Sequence, residues 1–142
     1  MPGIIVGIDG SDNSLNALEW AVREAGVRGT SLTVLAVHPV PRNYWTGNPE
    51  HYPTDTPETE AIRRAAEEAV QKTVGQVGDP GPTSVTVRAV SGVPAQELVN
   101  ASPGADLVVV GSRGGGGFAR MVLGSVASQV TRHAEAPVVV IR

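Results

Sequence analysis

The chain has no cysteine, which excludes disulfides, thiolate zinc sites and thiol nucleophiles. Lys72 is its sole lysine, so nearly all of the positive charge is arginine. A Walker-type phosphate loop, G-x-x-x-x-G-K-[ST], is therefore excluded, because Lys72 falls inside a predicted amphipathic helix. Aromatic residues are few: two Trp, two Tyr and one Phe. No apolar run approaches the roughly 18–20 residues that a membrane span needs, so no membrane partner is expected. The first residues, Met1 to Asp9, lack a basic stretch, a long apolar segment and a small-residue cleavage site. A cytoplasmic location is the expectation. The formal charge is −3 and is spread along the chain, whereas nucleic-acid binders gather basic patches. Nucleic acid is not an expected partner.

What is present is a folding pattern. The 142 residues, 41% of them hydrophobic, suit one domain over 1–142 with a core of its own. Short apolar runs occur at Ile4–Ile8, Leu32–Val37, Val85–Val90, Leu107–Val110 and Val138–Ile141. Four are nearly continuous, as strands are when both sheet faces are covered. In the third, Thr86 and Arg88 alternate with Val85, Val87 and Ala89, which predicts an edge strand.

Helical periods fill the gaps. Leu15, Leu18, Val22 and Ala25 share a face after the capping cluster Ser11-Asp12-Asn13-Ser14. Ile62, Ala65, Ala66, Ala69, Val70, Thr73, Val74 and Val77 trace a second stripe. A third helix is predicted from Pro94 and a fourth over about Gly124 to His133. This alternation predicts an α/β fold, a doubly wound three-layer sandwich with right-handed crossovers. The segment His38–Pro57 stands apart, with five prolines together with Tyr44, Trp45 and Tyr52. It reads either as a surface loop packed on the domain or as a lid or interface patch.

The segment richest in chemistry is Val110–Ser125, VGSRGGGGFARMVLGS. A buried strand runs into glycines, whose backbone N–H groups can converge on anionic oxygens without Cβ obstruction. Gly124 and Ser125 then open a helix, which adds free N–H donors and partial positive charge. Phosphate is the natural guest, although such turns also occur simply as tight bends. Backbone dipoles, a metal, or Arg113 and Arg120 would offset phosphate charge. Asp9 ends the first strand, where open α/β sheets bind ligands. It either helps to hold a cation against a phosphate or caps the first helix together with Ser11. His38, His51 and His133 lie in separate elements and suggest no zinc site. Neither Gly10-Ser11 nor Gly124-Ser125 has a G-x-S-x-G frame. No clear base is available to activate water, so a catalytic role is not expected beyond weak hydrolysis of a bound phosphate compound.

The spacing Gly111-x2-Gly114-x9-Gly124-Ser125 resembles the ATP signature of universal stress proteins. So do the opening IIVGIDGSDNS (Ile4–Ser14), the turn Ser91-Gly92-Val93-Pro94 and the ending APVVVI (Ala136–Ile141), in order and across nearly the whole chain. The resemblance implies a five-stranded parallel sheet in the order 3-2-1-4-5, with helices on both faces. It implies a nucleotide site made from Gly7, Asp9, Ser11, Val37, Gly92, Gly111, Ser112, Arg113, Gly114, Gly117, Arg120, Gly124, Ser125 and Val126. Val37 would lie by the adenine, Gly92 would leave room beside base or ribose, and Asp9 would hold Mg²⁺. The implied ligand is ATP, with AMP or ADP as variants, and the implied role is a nucleotide-dependent regulator in stress response. Slow ATP hydrolysis and cyclic-nucleotide binding are the alternatives. An adenylating enzyme of the PP-loop kind is disfavoured, since S-G-G-x-D-S is absent. A homodimer through strand 137–141 is also expected, because a long apolar edge invites pairing. No protein partner is indicated.

Overall fold

The computed structural model describes residues 2–40, 56–113 and 123–142. The elements follow in the order β1 (Ile4–Ile8), α1 (Asp12–Arg28), β2 (Leu32–Pro39), α2 (Pro57–Val77), β3 (Val85–Gly92), α3 (Pro94–Ala101), β4 (Leu107–Gly111), α4 (Ser125–His133) and β5 (Val138–Ile141). The strands form one parallel sheet in the order β3-β2-β1-β4-β5. Ile4 stands opposite both Leu32 of β2 and Leu107 of β4.

Alternation along each strand divides the core between the two faces. Ile4, Val6, Ile8, Val34 and Val109 pack with Leu18 and Val22 of α1 and with Ala66 and Val70 of α2. Ile5, Leu35, Val108 and Val110 pack with Leu98 of α3 and Val130 of α4. That is the three-layer sandwich. Each fully buried aliphatic side chain contributes roughly 1.5–3 kcal/mol, so the continuous apolar runs of β1, β2 and β4 place these strands at the centre. β3 lies on one edge, as its polar alternation predicted, and β5 lies on the other.

Local chemistry sets the helix ends. Ser11 caps α1 by accepting from Ser14 N, and Gly29 closes the helix with a left-handed φ of 64°, which glycine adopts without penalty. Thr56 caps α2 in the same way, accepting from Thr59 N at 3.1 Å. α4 begins at Ser125, one residue later than the sequence pattern suggested, with Gly124 as its cap.

β3 continues two residues beyond its apolar run, to Gly92. Ser91 is buried there and its hydroxyl pairs with that of Thr59 at 2.8 Å. The carbonyl of the next residue, Gly92, accepts from Val40 N at 2.9 Å. The end of β3 thus fastens both the chain leaving β2 and the first turn of α2. Most of the long segment singled out in the sequence, with Tyr44, Trp45 and Tyr52, lies outside the described residues.

Candidate functional site

The strand order reverses between β1 and β4, since their crossovers run to opposite sides. At that point, beyond the carboxyl ends of the strands, lies a cavity of about 280 Å³. Its floor comes from Gly7, Ile8 and Asp9 of the β1 end, Leu35 and Val37 of β2, and Val110 and Gly111 of β4. Pro94 and Leu98 of α3 form one wall, and Arg113 with Ser125, Val126 and Ala127 forms another. A crevice at such a switch point is where open α/β sheets take up ligands.

Of the residues singled out in the sequence, Gly7, Asp9, Val37, Gly111, Arg113, Ser125 and Val126 meet at this cavity. Ser125, Val126 and Ala127 supply the first turn of α4, which has no side-chain cap. The opening N–H groups of a helix have no partner within it and carry partial positive charge. The wall formed by α4 is therefore suited to an anion.

Asp9 also lines the cavity, and its carboxylate is held in place. Oδ1 accepts from Ser11 N at 2.9 Å and from Ser11 Oγ at 2.5 Å. Asp9 N in turn donates to Ser14 Oγ at 3.2 Å. Asp9 thus both lines the cavity and braces the Ser11 cap of α1. Among the described residues no three His, Asp or Glu side chains cluster as metal ligands. A cation held by protein groups alone does not fit here. One shared between a single carboxylate and phosphate oxygens does, because Mg²⁺ is commonly bound in that way.

Other predicted residues lie apart from the cavity lining. The Ser11 hydroxyl is committed to Asp9 and to the α1 cap. Ser112 is buried, and its N–H donates to Ile141 O at 2.7 Å while its carbonyl accepts from Gly124 N at 2.7 Å. That last bond joins the start of α4 to the end of β4 and uses the Gly124 N–H within the protein. Gly92 does not line the cavity, and a Cβ there would lie 2.7 Å from Glu97 Oε1. Its space serves a side chain of α3. Gly114, Gly117 and Arg120 lie outside the described residues.

The sequence reading missed four contributors. Leu98 and Pro94 form a wall, Ser14 lines the floor, and Asn13 reaches the start of the glycine-rich stretch through Arg113 N at 2.8 Å. A helix stripe reads Leu98 simply as core, and no spacing rule links Asn13 to a residue 100 positions away. A second cavity of about 200 Å³ lies on the opposite face between the end of β2 and α2, lined by Leu15, Ala36, Ile62 and Ala66.

A sequence model of the universal stress protein family matches residues 2–142. The chain belongs to this family. It is similar to a universal stress protein of Mycolicibacterium smegmatis, at 32% identity over 139 residues, covering 98% of this chain and 47% of that protein. It is likewise similar to universal stress protein Rv2623 of Mycobacterium tuberculosis, at 37% over 141 residues, covering 98% of this chain and 44% of that protein. This universal stress protein chain spans about half the length of the curated relatives it matches. Among solved structures it resembles universal stress protein UspA from Lactobacillus plantarum, with TM-score 0.75, 26% identity and coverage of 99% and 97% of the two chains. It also resembles a universal stress protein crystallised in complex with cAMP, with TM-score 0.67, 29% identity and coverage of 99% and 96%.

Proposed function

We propose that this universal stress protein, read as one domain over 1–142, binds ATP with Mg²⁺ and acts as a nucleotide-dependent regulator in stress response. The observation that carries the reading is the convergence of Asp9, Gly111, Arg113 and the uncapped first turn of α4 on one cavity at the switch point. Ser125 and Val126 would meet phosphate through backbone N–H groups, with Arg113 adding positive charge. Val37 and Leu35 offer an apolar surface to the base. Bound Mg²⁺ would offset phosphate charge, with Asp9 as its one protein carboxylate. Gly114, Gly117 and Arg120 complete the site by resemblance to the family signature. The domain works in the cytoplasm, pairs with a second copy through 137–141, and does not act on nucleic acid.

Cyclic-nucleotide binding is the second reading, favoured by the relative in complex with cAMP at 29% identity. ADP and AMP would use the same base and ribose contacts. One experiment separates these readings. Nucleotide released from denatured, freshly purified protein is identified by mass spectrometry, and calorimetry then compares ATP, ADP, AMP and cAMP with and without Mg²⁺. We expect ATP to bind with roughly micromolar affinity, about −8 kcal/mol, and more tightly than cAMP. Tighter cAMP binding would replace the first reading with the second. Failure of every adenine nucleotide to bind would remove both.

A further inference from the structure

Asn13 stands in the first turn of α1, and both ends of its carboxamide are engaged far away in sequence. Oδ1 accepts from Arg113 N at 2.8 Å, and Nδ2 donates to Ile141 O at 3.1 Å. The partners fix the orientation of the amide, because a backbone N–H can only donate and a carbonyl can only accept. The Ile141 carbonyl also accepts from Ser112 N at 2.7 Å. One side chain therefore joins α1 to the chain leaving β4 and to the last residue of β5.

Gly111 belongs to the same arrangement. A Cβ built on it would fall within contact distance of Asn13 Oδ1 and 3.0 Å from Asn13 Cγ. The first glycine of the signature spacing thus makes room for a carboxamide that crosses it. Any larger residue there would displace the bridge. Gly111 and Arg113 both line the cavity, whereas Asn13 is not part of its lining. Its influence on a bound molecule would pass through the backbone it holds.

We propose that Asn13 is a positioning residue of the nucleotide site, setting the Gly111–Arg113 backbone against the cavity and tying it to the end of β5. The proposal rests on the nucleotide reading above. Its test compares wild type, Asn13→Ala, Gly111→Ala and the double variant, by ATP calorimetry and by hydrogen exchange at the Arg113 amide. Loss of one such bond is worth about a tenfold change in an equilibrium. Asn13→Ala should therefore speed Arg113 exchange and weaken ATP binding, each by about tenfold. Gly111→Ala should do the same by dislodging the carboxamide. In the Asn13→Ala background the added methyl meets only the backbone carbonyl of residue 13, 3.2 Å away, and should cost far less, so the two losses will not add in full. Wild-type ATP affinity in Asn13→Ala, unchanged Arg113 exchange, or fully additive losses would each overturn the proposal. A wild type that binds no adenine nucleotide would instead overturn the nucleotide reading, and this inference with it, so the wild-type titration distinguishes the two failures.

Discussion

Gly7 and Leu98 compete for one space: a Cβ on Gly7 would stand 2.8 Å from Leu98 Cδ1 and 3.0 Å from Cδ2. α3 packs onto β1 because β1 has no side chain at that point, and both residues line the cavity. Gly7→Val should therefore overpack this layer, costing about 1–3 kcal/mol. It should also weaken nucleotide binding as Leu98 is pushed toward the cavity. Urea unfolding and calorimetry on the same samples test this. Wild-type stability in the variant would show that Leu98 moves aside freely.

The pairing of Asp9 with Ser11 gives a control for the metal. Asp9→Ala removes both a candidate Mg²⁺ ligand and the acceptor for Ser11 N and Oγ. Ser11→Ala removes the capping hydroxyl, worth about 1 kcal/mol, and one of the two donors to Asp9, while the Ser11 N–H still holds the carboxylate. If Asp9 holds Mg²⁺, Asp9→Ala should weaken ATP binding more with magnesium than with EDTA, whereas Ser11→Ala should show no such difference. Equal losses in both buffers for Asp9→Ala would assign the residue to a direct nucleotide contact or to the cap instead of the metal.

The outer edge of β5 allows a specific test of self-pairing. Pro137 O and Ile141 O are turned toward β4, accepting from Val108 N and Ser112 N. By the two-residue period of a strand, the backbone groups of Val138 and Val140 point to the open side. Side chains of Val139 and Ile141 pack on the α1 face instead, so a charge at 139 would disturb the core as well as an interface. Val140→Pro removes an outward N–H, a change that edge strands tolerate. Light scattering should report a dimer for wild type and a monomer for the variant. Dimers in both would place the interface elsewhere, and a monomeric wild type would end the idea.

Glu97 supplies a pH dependence. Burial pushes its carboxyl above the usual 4.5, and the positive charge of Arg88 opposes that shift only in part. With the folded value raised, its contribution to stability is full below the unfolded value and is lost as pH rises through the folded one. Glu97→Gln keeps the shape that fills the space over Gly92 and removes the ionisation. Thermal melts should show the variant more stable than wild type near neutral pH, with the gap closing below pH 4.5. A gap independent of pH would trace the effect to packing.

Much of the fold could be read from the residues because its signals are local. Runs such as Leu107–Val110 are apolar on both faces because helices cover both faces of the sheet there, and β5, an edge strand with Val139 on one face and Val138 on the other, shows the same signal. The alternation of Thr86 and Arg88 marked β3 as an edge for the converse reason. The Ser91 end of β3 was not legible, since hydrophobic period cannot foresee a hydroxyl pair with Thr59. The cavity was legible where strand ends and helix starts define it, as at Asp9, Gly111 and Ser125. It was not legible where the deciding contact spans the chain. Asn13 and Ile141 are 128 positions apart, and Gly92 answers to Glu97 through the packing of α3.

The two fastenings at the end of β3 have an evolutionary consequence. Val40 is tied to Gly92 and Thr59 to Ser91, adjacent residues of one strand. A lineage that replaces Ser91 by an apolar residue strips the buried Thr59 hydroxyl of one of its two partners, and a buried polar group left short of a partner costs about 1–3 kcal/mol. Ser91 and Thr59 should therefore change together among relatives, although they are 32 positions apart.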